Sequence, residues 1–248
     1  ERSVLRRHPW IFSGAISELR GSPKPGETVK VVTSRGECLA LAAYSPQSQI
    51  ACRVWTWDVK EEITPVFFEG RIEQAILRRE QEASLIQSNA FRLVHGESDG
   101  VPGLILDRYG EVLVVQFLSA GVEYWREAII EAVIKLTGCQ TLYERSDVDV
   151  RQLEGLDLRT GLLFGKEITQ PFPISENGLQ LLVDIIHGHK TGYYLDQRDN
   201  RYLCRIISDG RKMLDCFAYT GGFAVNALKG GAQNVTLVDA SGDALMRA

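Results

Sequence analysis

Two adjacent glycines, Gly221 and Gly222, interrupt the stretch LDCFAYTGGFAVNALKGGAQNVTLVDAS, residues 214–241, after a buried-strand pattern and before an apolar helical one. In an open α/β sheet, glycines at such a turn let backbone approach a ligand held beyond the carboxyl ends of the strands. The helix that follows offers unpaired amide N–H groups and the positive end of its dipole, which suit a carboxylate or a phosphate. Asp239 ends the next strand, eighteen residues after Gly221, close to the ~20-residue offset at which an acid reaches ribose hydroxyls. The pattern predicts a pocket for an adenosine-containing cofactor. A dinucleotide site would show G-x-G-x-x-G, whereas this turn reads F-A-Y-T-G-G-F and is bulky where the first of those glycines would stand. S-adenosylmethionine has no pyrophosphate to house, so the turn favours that methyl donor over a nicotinamide cofactor. The plainer alternative is a glycine pair that only closes a βα turn.

Just upstream, HGHKTGYYLDQRDNR, residues 187–201, concentrates two histidines, a lysine, two glycines, two tyrosines and alternating acids and arginines in one loop and helix start. Lys190, Thr191, Gln197 and Arg198 are candidates to line the same pocket. His187 and His189 could ligate zinc, but no third ligand at usable spacing accompanies them. Asp196, Asp199 and Arg201 read equally well as an ion-pair network on a helix surface.

Strands and helices must position these groups. Residues 192–208 read as a helix, KMLDCFA as a strand, GGFAVNALKGG as a helix and NVTLVDA as a strand, an alternation that implies a parallel β-α-β crossover. Residues 4–60 read instead as short strands, TVKVV, CLALAAY and IACRVWTW, after a GSPKPGE turn cluster. From Thr64 to Gln87 a capping threonine, Pro65 at the first helical position and a stripe of Phe68, Ile72, Ile76 and Leu77 predict a long connecting helix. FRLVHGESDGVPGLILDRYGEVLVVQF reads as a hairpin or meander, VEYWREAIIEAVIKLTG as a helix stopped by its glycine, and QTLYERSDVDVRQLEGL as a strand with an exposed acidic-basic loop. LQLLVDII follows as a later strand. The expected fold class is multidomain, α+β and α/β: a β-rich module over residues 1–62, a connecting helix over 63–88, a central α+β domain over 89–178 and the start of a Rossmann-like domain over 179–248.

With 44% hydrophobic and 24% charged residues among 248, the chain has the balance of a globular protein able to bury a core. No apolar run approaches the ~20 residues needed to cross a bilayer, and the start, ERSVLRRHPWIF, is too short in apolar residues for a secretory signal. These features point to the cytoplasm. Cysteines 38, 52, 139, 204 and 216 form no C-x-x-C pair, which argues against a disulfide framework or a zinc site and for reduced, buried thiols. The net charge is −4, but residues 1–60 hold nine Lys and Arg against five Asp and Glu, leaving that segment at +4 and the rest at −8. The basic end is the candidate for a polyanion.

Six blocks together carry a family resemblance: LRRHPWIFSGAI, AAYSPQSQIACRVWT, GESDGVPGLILDRYG, RSDVDVR, HGHKTGYYLDQRDNR and CFAYTGGFAVNAL. The chain resembles the bacterial methyltransferases that make 5-methylcytosine in 23S ribosomal RNA, the large methyltransferase I group. The resemblance implies a PUA domain with a β-barrel fold, a central α+β domain and a Rossmann-like methyltransferase domain, with S-adenosylmethionine as cofactor and 23S ribosomal RNA as partner, and no metal or membrane. The candidate cofactor-binding set is Lys190, Thr191, Tyr194, Gln197, Arg198, Asp215, Phe217, Thr220, Gly221, Gly222, Asp239 and Ser241. Arg6, Arg7, His8 and Trp10 are the candidates for RNA, as cations for phosphate and a ring able to stack, with a core role as the alternative for Trp10.

In that family a cysteine thiolate adds to carbon-6 of a flipped-out cytosine, carbon-5 takes the methyl group, and a base removes the carbon-5 proton. The resemblance places this cysteine in a serine- and cysteine-rich block, after an Asp-Pro-Pro block, and neither block occurs here. Cys216 is the only cysteine near the pocket, and a packed thiol is its expected role. The sequence is thus expected to be a truncated form, short also of about one strand at its amino end, and unable to methylate alone. A half-sheet with exposed apolar faces would favour a homodimer. The competing reading from another class is a non-catalytic RNA-binding module with a structural Rossmann half.

Overall fold

The computed structural model describes residues 2–82, 85 and 87–248. They divide into two compact units, one of Glu1–Glu82, Arg92–Asp107 and Glu111–Lys166, the other of Ala83–Phe91, Arg108–Gly110 and Glu167–Ala248. Among the described residues no helix is long and apolar enough to cross a membrane.

The first unit opens with a short helix α1 (Arg2–Leu5) and strands β1 (Trp10–Ile11), β2 (Thr28–Val32), β3 (Cys38–Tyr44) and β4 (Cys52–Thr56). They form a four-stranded sheet in the order β1-β4-β3-β2, antiparallel throughout. Val4, Ile11, Ala40, Ala42, Cys52 and Val54 make its core. The small residues of β3 leave room for larger neighbours, which is why a CLALAAY run serves as a central strand. Helix α2 (Pro65–Glu80) follows. Thr64 has the extended backbone of a cap, but its side chain makes no capping bond. The expected helix beyond Gln81 includes residues 83, 84 and 86, which lie outside the described residues. The buried stripe of α2 is Phe67, Phe68, Ile72, Ala75 and Ile76. Leu77 is exposed instead, being one position round from Ile76.

Strands β5 (Ala90–His95), β6 (Leu104–Tyr109) and β7 (Val112–Phe117), helices α3 (Ala120–Tyr124) and α4 (Arg126–Thr137), strand β8 (Thr141–Ser146), helix α5 (Val150–Leu153) and strand β9 (Arg159–Gly165) complete the series up to residue 166. The sheet order is β5-β6-β7-β8-β9, with β7 parallel to β8 and β8 antiparallel to β9. The helix expected over 122–138 is two helices broken at Trp125. Gly121 packs where a Cβ would overlap Ala43 and Trp55, and the Trp125 ring is turned onto Phe68 at 5.1 Å. One straight helix would have to satisfy both contacts. Gly138, at φ 57°, stops α4 as expected.

The segment read as an exposed acidic-basic loop is exposed over most of its length, but its Arg151 and Glu154 are buried. Arg151 is 1% exposed. Its guanidinium donates to the carbonyls of Phe117 and Asp157 and to Glu123 at 2.9 Å. Glu154 accepts from Arg53 at 2.8 Å, Ser45 at 2.9 Å and the amide of Ala120 at 3.3 Å. Charged side chains enter this core because each finds an opposite charge and several hydrogen bonds there.

In the second unit β10 (Phe172–Glu176) and β11 (Leu179–Val183) form an antiparallel hairpin. Asn177 and Gly178 turn it, both at positive φ (50° and 74°), the conformation that a two-residue Asn-Gly loop supplies. Helix α6 (Arg198–Ile207), β12 (Lys212–Cys216), α7 (Gly222–Lys229), β13 (Asn234–Val238) and α8 (Gly242–Arg247) follow. Strands β12 and β13 are parallel, Lys212 opposite Asn234 and Cys216 opposite Val238, with α7 as the crossover. The helix expected over 192–208 begins only at Arg198, after a 3-10 turn at Leu195–Gln197, because Lys190 and Gly192 hold positive φ. Cys216 is exposed rather than packed. Strand alternation puts it with Lys212 and Leu214 on the face of β12 that lies open among the described residues.

Replacing Glu154 with Ala is expected to strand the Arg53 guanidinium without its buried partner. The cost should be about 3–5 kcal/mol, read as a lower urea midpoint by tryptophan fluorescence. A midpoint within error of the unaltered protein would refute the account of this core.

Candidate cofactor site

The site grows from the turn joining β12 to α7. Phe217, Tyr219 and Gly221 take positive φ of 62°, 50° and 71°, so two aromatic residues stand where glycine is the ordinary choice. Hydrogen bonds fix them there. Ala218 N–H donates to the Val238 carbonyl at 3.1 Å, and Tyr219 N–H donates to Asp239 at 2.8 Å. The other Asp239 oxygen accepts from Ser241 N–H at 2.8 Å, while the Ser241 hydroxyl caps α8 through Ala244 N–H. Asp239 therefore stands just past β13 and ties two turns together.

Helix α7 begins beneath this turn. Ala224 N–H donates to Asp215 at 3.1 Å and Val225 N–H to the Gly221 carbonyl at 2.9 Å. The amides of Gly222 and Phe223 have no partner among the described residues. The Thr220 hydroxyl is buried and likewise unpartnered. A Cβ on Gly222 would overlap the Tyr193 hydroxyl, and one on Gly221 would crowd Ala248 and Leu237. Both glycines are thus required by space, and Gly221 also by φ.

The upstream loop meets this turn through Tyr219. Its hydroxyl accepts from His189 N–H at 3.1 Å and donates to the Gly192 carbonyl at 3.2 Å. The His189 ring stacks on the Tyr219 ring at 4.7 Å and 14°, and its Nδ1 lies 3.0 Å from the Tyr194 hydroxyl. Lys190 reaches Asp196 at 3.0 Å and lies over the Tyr194 ring. Thr191 is buried, sharing its hydroxyl with Tyr109 at 2.8 Å. Gln197 bonds to Asp196 and Asn200, and Arg198 to Asp199, around the start of α6.

The structure therefore brings Asp215, Phe217, Thr220, Gly221, Gly222, Asp239 and Ser241 onto one pair of turns, with Lys190 and Tyr194 linked through His189 and Tyr219. Phe217 is 91% exposed on that turn. Arg201 is no member of a surface network: it is 2% exposed and paired with Glu176. Sequence reasoning weighed His189 only as a zinc ligand and missed Tyr219 and Tyr109. An aromatic residue inside a glycine turn was the available signal for Tyr219. Tyr109 lies too far upstream to give one. In the first unit Arg6, Arg7 and His8 are exposed, and Trp10 is 37% exposed, donating its indole N–H to Glu97 at 2.6 Å. Trp10 is accordingly not a core residue.

Electrostatics separate the two strand-end acids. Hydrogen bonds from the Ser241 and Tyr219 amides hold Asp239 below the ordinary aspartate range. Burial pushes Asp215 up, and the nearby Asp239 charge adds to it. Each Asp239 oxygen has accepted one hydrogen bond, so each keeps capacity for a ligand hydroxyl. The site thus offers an ionised acceptor on one side and free amide and hydroxyl donors at a helix start on the other.

Residues 1–57 match the family model for PUA-like domains, and residues 156–248 match that for S-adenosylmethionine-dependent methyltransferases. Ribosomal RNA large subunit methyltransferase I of Shigella dysenteriae serotype 1 is 51% identical over 99% of the chain. The chain is similar to that methyltransferase along nearly its whole length. The Escherichia coli O139:H28 protein of the same name is also 51% identical over 99% of the chain, and the chain spans 62% of the length of each relative. A solved Streptococcus mutans structure, assigned as a SAM-dependent methyltransferase, shares the fold with a TM-score of 0.82 and 24% identity, over 99% of this chain and 62% of that one. A second solved structure, complexed with SAH, superposes with a TM-score of 0.84, again at 24% identity and with the same coverage. The fold class read from the sequence, a PUA-like module ahead of a methyltransferase-type α/β segment, holds.

The acids give a pH test. A carboxyl raised by burial, as in Asp215, lowers folded stability as pH climbs from the ordinary aspartate range through its raised value. Asp239, depressed, contributes stability above that range and loses it as pH falls through its lower value. Asp215→Asn keeps an acceptor for Ala224 N–H and removes the first effect. Its melting temperature should gain on that of the unaltered protein between about pH 4 and pH 7. Parallel melting curves across that range would refute the assignment.

Proposed function

We propose that this chain is the RNA-positioning and cofactor-binding part of an S-adenosylmethionine-dependent methyltransferase that makes 5-methylcytosine in 23S ribosomal RNA of the bacterial cytoplasm. The observation that carries the cofactor is the pair of turns: glycines that admit no Cβ, two open amides, a buried unpartnered Thr220 hydroxyl and an ionised Asp239. Those donors suit the carboxylate of an amino-acid end, and Asp239 suits ribose hydroxyls. Bound there, the cofactor would supply an electrophilic methyl group. Lys190, Thr191, Tyr194, Gln197, Arg198, Asp215 and Ser241 complete the proposed set, and Phe217 offers a nearly free ring face to a flat base.

The substrate reading rests on homology and on the basic, exposed start of the chain. Arg6 and Arg7 would neutralise phosphates, with His8 and Trp10, whose rings meet edge to face at 6.0 Å, beside them. The cytosine chemistry needs a thiolate. Of the five cysteines none stands in the nucleophile's motif, so this chain is proposed to bind cofactor without transferring its methyl group.

Titration calorimetry should detect S-adenosylhomocysteine binding that is lost in Asp239→Ala, and labelled methyl donor should leave added 23S RNA unlabelled. Absent binding, or binding indifferent to Asp239, would refute the site. For RNA, replacing both Arg6 and Arg7 with Ala should weaken binding and reduce the salt slope by about 1.4, two contacts at ~0.7 each on single strands. An unchanged slope would remove this patch from the RNA interface.

A further inference from the structure

Arg201, on α6, is an arginine almost wholly removed from water. Its Nε and Nη2 donate to the two oxygens of Glu176 at 2.7 and 2.6 Å, and Glu176, the last residue of β10, is itself 1% exposed. Its Nη1 donates to the Tyr194 carbonyl at 2.9 Å, and its guanidinium lies over the Tyr193 ring at 4.5 Å. Its Cδ and the Tyr193 hydroxyl occupy the space that a side chain on Gly222 would need. The guanidinium thus joins the hairpin end to the 189–194 loop, while the Cδ of the same side chain lies against the space beside Gly222, the first residue of α7. The loop carries Lys190 and Tyr194, and α7 carries the open amides, so the two sides of the pocket meet at Arg201.

We propose that Arg201, locked by Glu176, is a positioning residue that sets the spacing between the loop and the start of α7, and so sets affinity for the cofactor without touching it. This rests on the cofactor reading above. The bidentate fork makes the role specific to arginine, because an ammonium group cannot hold two carboxylate oxygens and a carbonyl in one plane. The Asn226 carboxamide and Arg205 bind each other on the same helix pair at 2.8 Å, so α6 and α7 keep a second tie when Arg201 is changed.

Stability and affinity separate this role from a merely structural one. Removing one partner of a buried pair destabilises, whereas replacing both with apolar residues of similar volume commonly restores stability. The 248-residue chain is compared with Arg201→Met, Glu176→Gln and the Arg201→Met/Glu176→Leu double variant, by thermal unfolding and by calorimetry with S-adenosylhomocysteine. In the double variant, stability should return toward that of the unaltered protein while affinity stays reduced by about tenfold, a shift within the range of residues lacking ligand contact. Affinity that recovers together with stability would overturn the positioning role. Glu176→Gln keeps the shape and one acceptor and serves if the double variant does not fold: about threefold or greater weakening supports the role, and unaltered affinity overturns it. If the unaltered chain binds no S-adenosylhomocysteine, the cofactor reading fails first and takes this inference with it.

Discussion

The second unit is organised by one local constraint, the path of the chain from β12 into α7. Three of five consecutive residues, Phe217, Tyr219 and Gly221, occupy left-handed backbone, and for the two aromatics this costs on the order of 1–3 kcal/mol each. Such a path persists only when its surroundings over-determine it. Asp239 does most of that work by accepting from Tyr219 N–H on one side and Ser241 N–H on the other. The amide donors that hold the backbone also hold Asp239 ionised. A carboxylate ready to accept from a ligand is therefore already demanded by the turn itself.

The loop that faces the turn is held from behind. Tyr109 joins the Thr191 hydroxyl and accepts from Tyr193 N–H, while Arg201 takes the Tyr194 carbonyl. Asp184 accepts from the amides of Ile186 and His187 and lies 3.8 Å from Arg247 of α8. Side chains that look available in the sequence are thereby divided into two kinds. Arg201 is used up in support, whereas Phe217, the Asp239 oxygens and the first α7 amides are left to the solvent side or unpartnered. The first unit applies the same physics, with Arg53, Arg151 and Glu154 buried only because their donors and acceptors are matched. Pairs of this kind add little net stability. What they impose is geometry, since a fork accepts its partner in one orientation.

Much of the fold was legible because it follows periodicity. β2, β3 and β4 fall on the three apolar runs of the amino-terminal module, and β12, α7 and β13 follow the alternation around the glycine pair. Gly222 and Asp239 were legible as well, since turn chemistry and offset are local properties. Errors arose where a distant partner decides. Arg151 and Glu154 look like surface charges until Phe117, Glu123 and Arg53 are seen to meet them. Arg201 looks like one more surface charge until Glu176, 25 residues earlier, closes on it. The β10 strand is a different case: Asn177-Gly178 is a hairpin signal in plain view, yet the sequence reading names only the strand after it, and the β10 run, FPISE, contains a proline. That proline lies in a two-stranded ribbon, where the lost donor does not interrupt a larger sheet.

The hydrogen bonds that shape the two turns and the loop close among residues 109 to 244 of the second unit. The acceptors and donors left over at the turn are therefore fixed by the fold itself, and a ligand bound there would need little ordering of backbone. Preorganisation of this sort also explains why bulky aromatics are tolerated beside the glycines. Tyr219 fills the space between turn and loop, and its hydroxyl satisfies the His189 amide and the Gly192 carbonyl that the loop's own left-handed residues turn inward. A glycine at that position would relax the backbone strain but remove the strut. The strain and the support are properties of one side chain, so the turn cannot lose the first without losing the second.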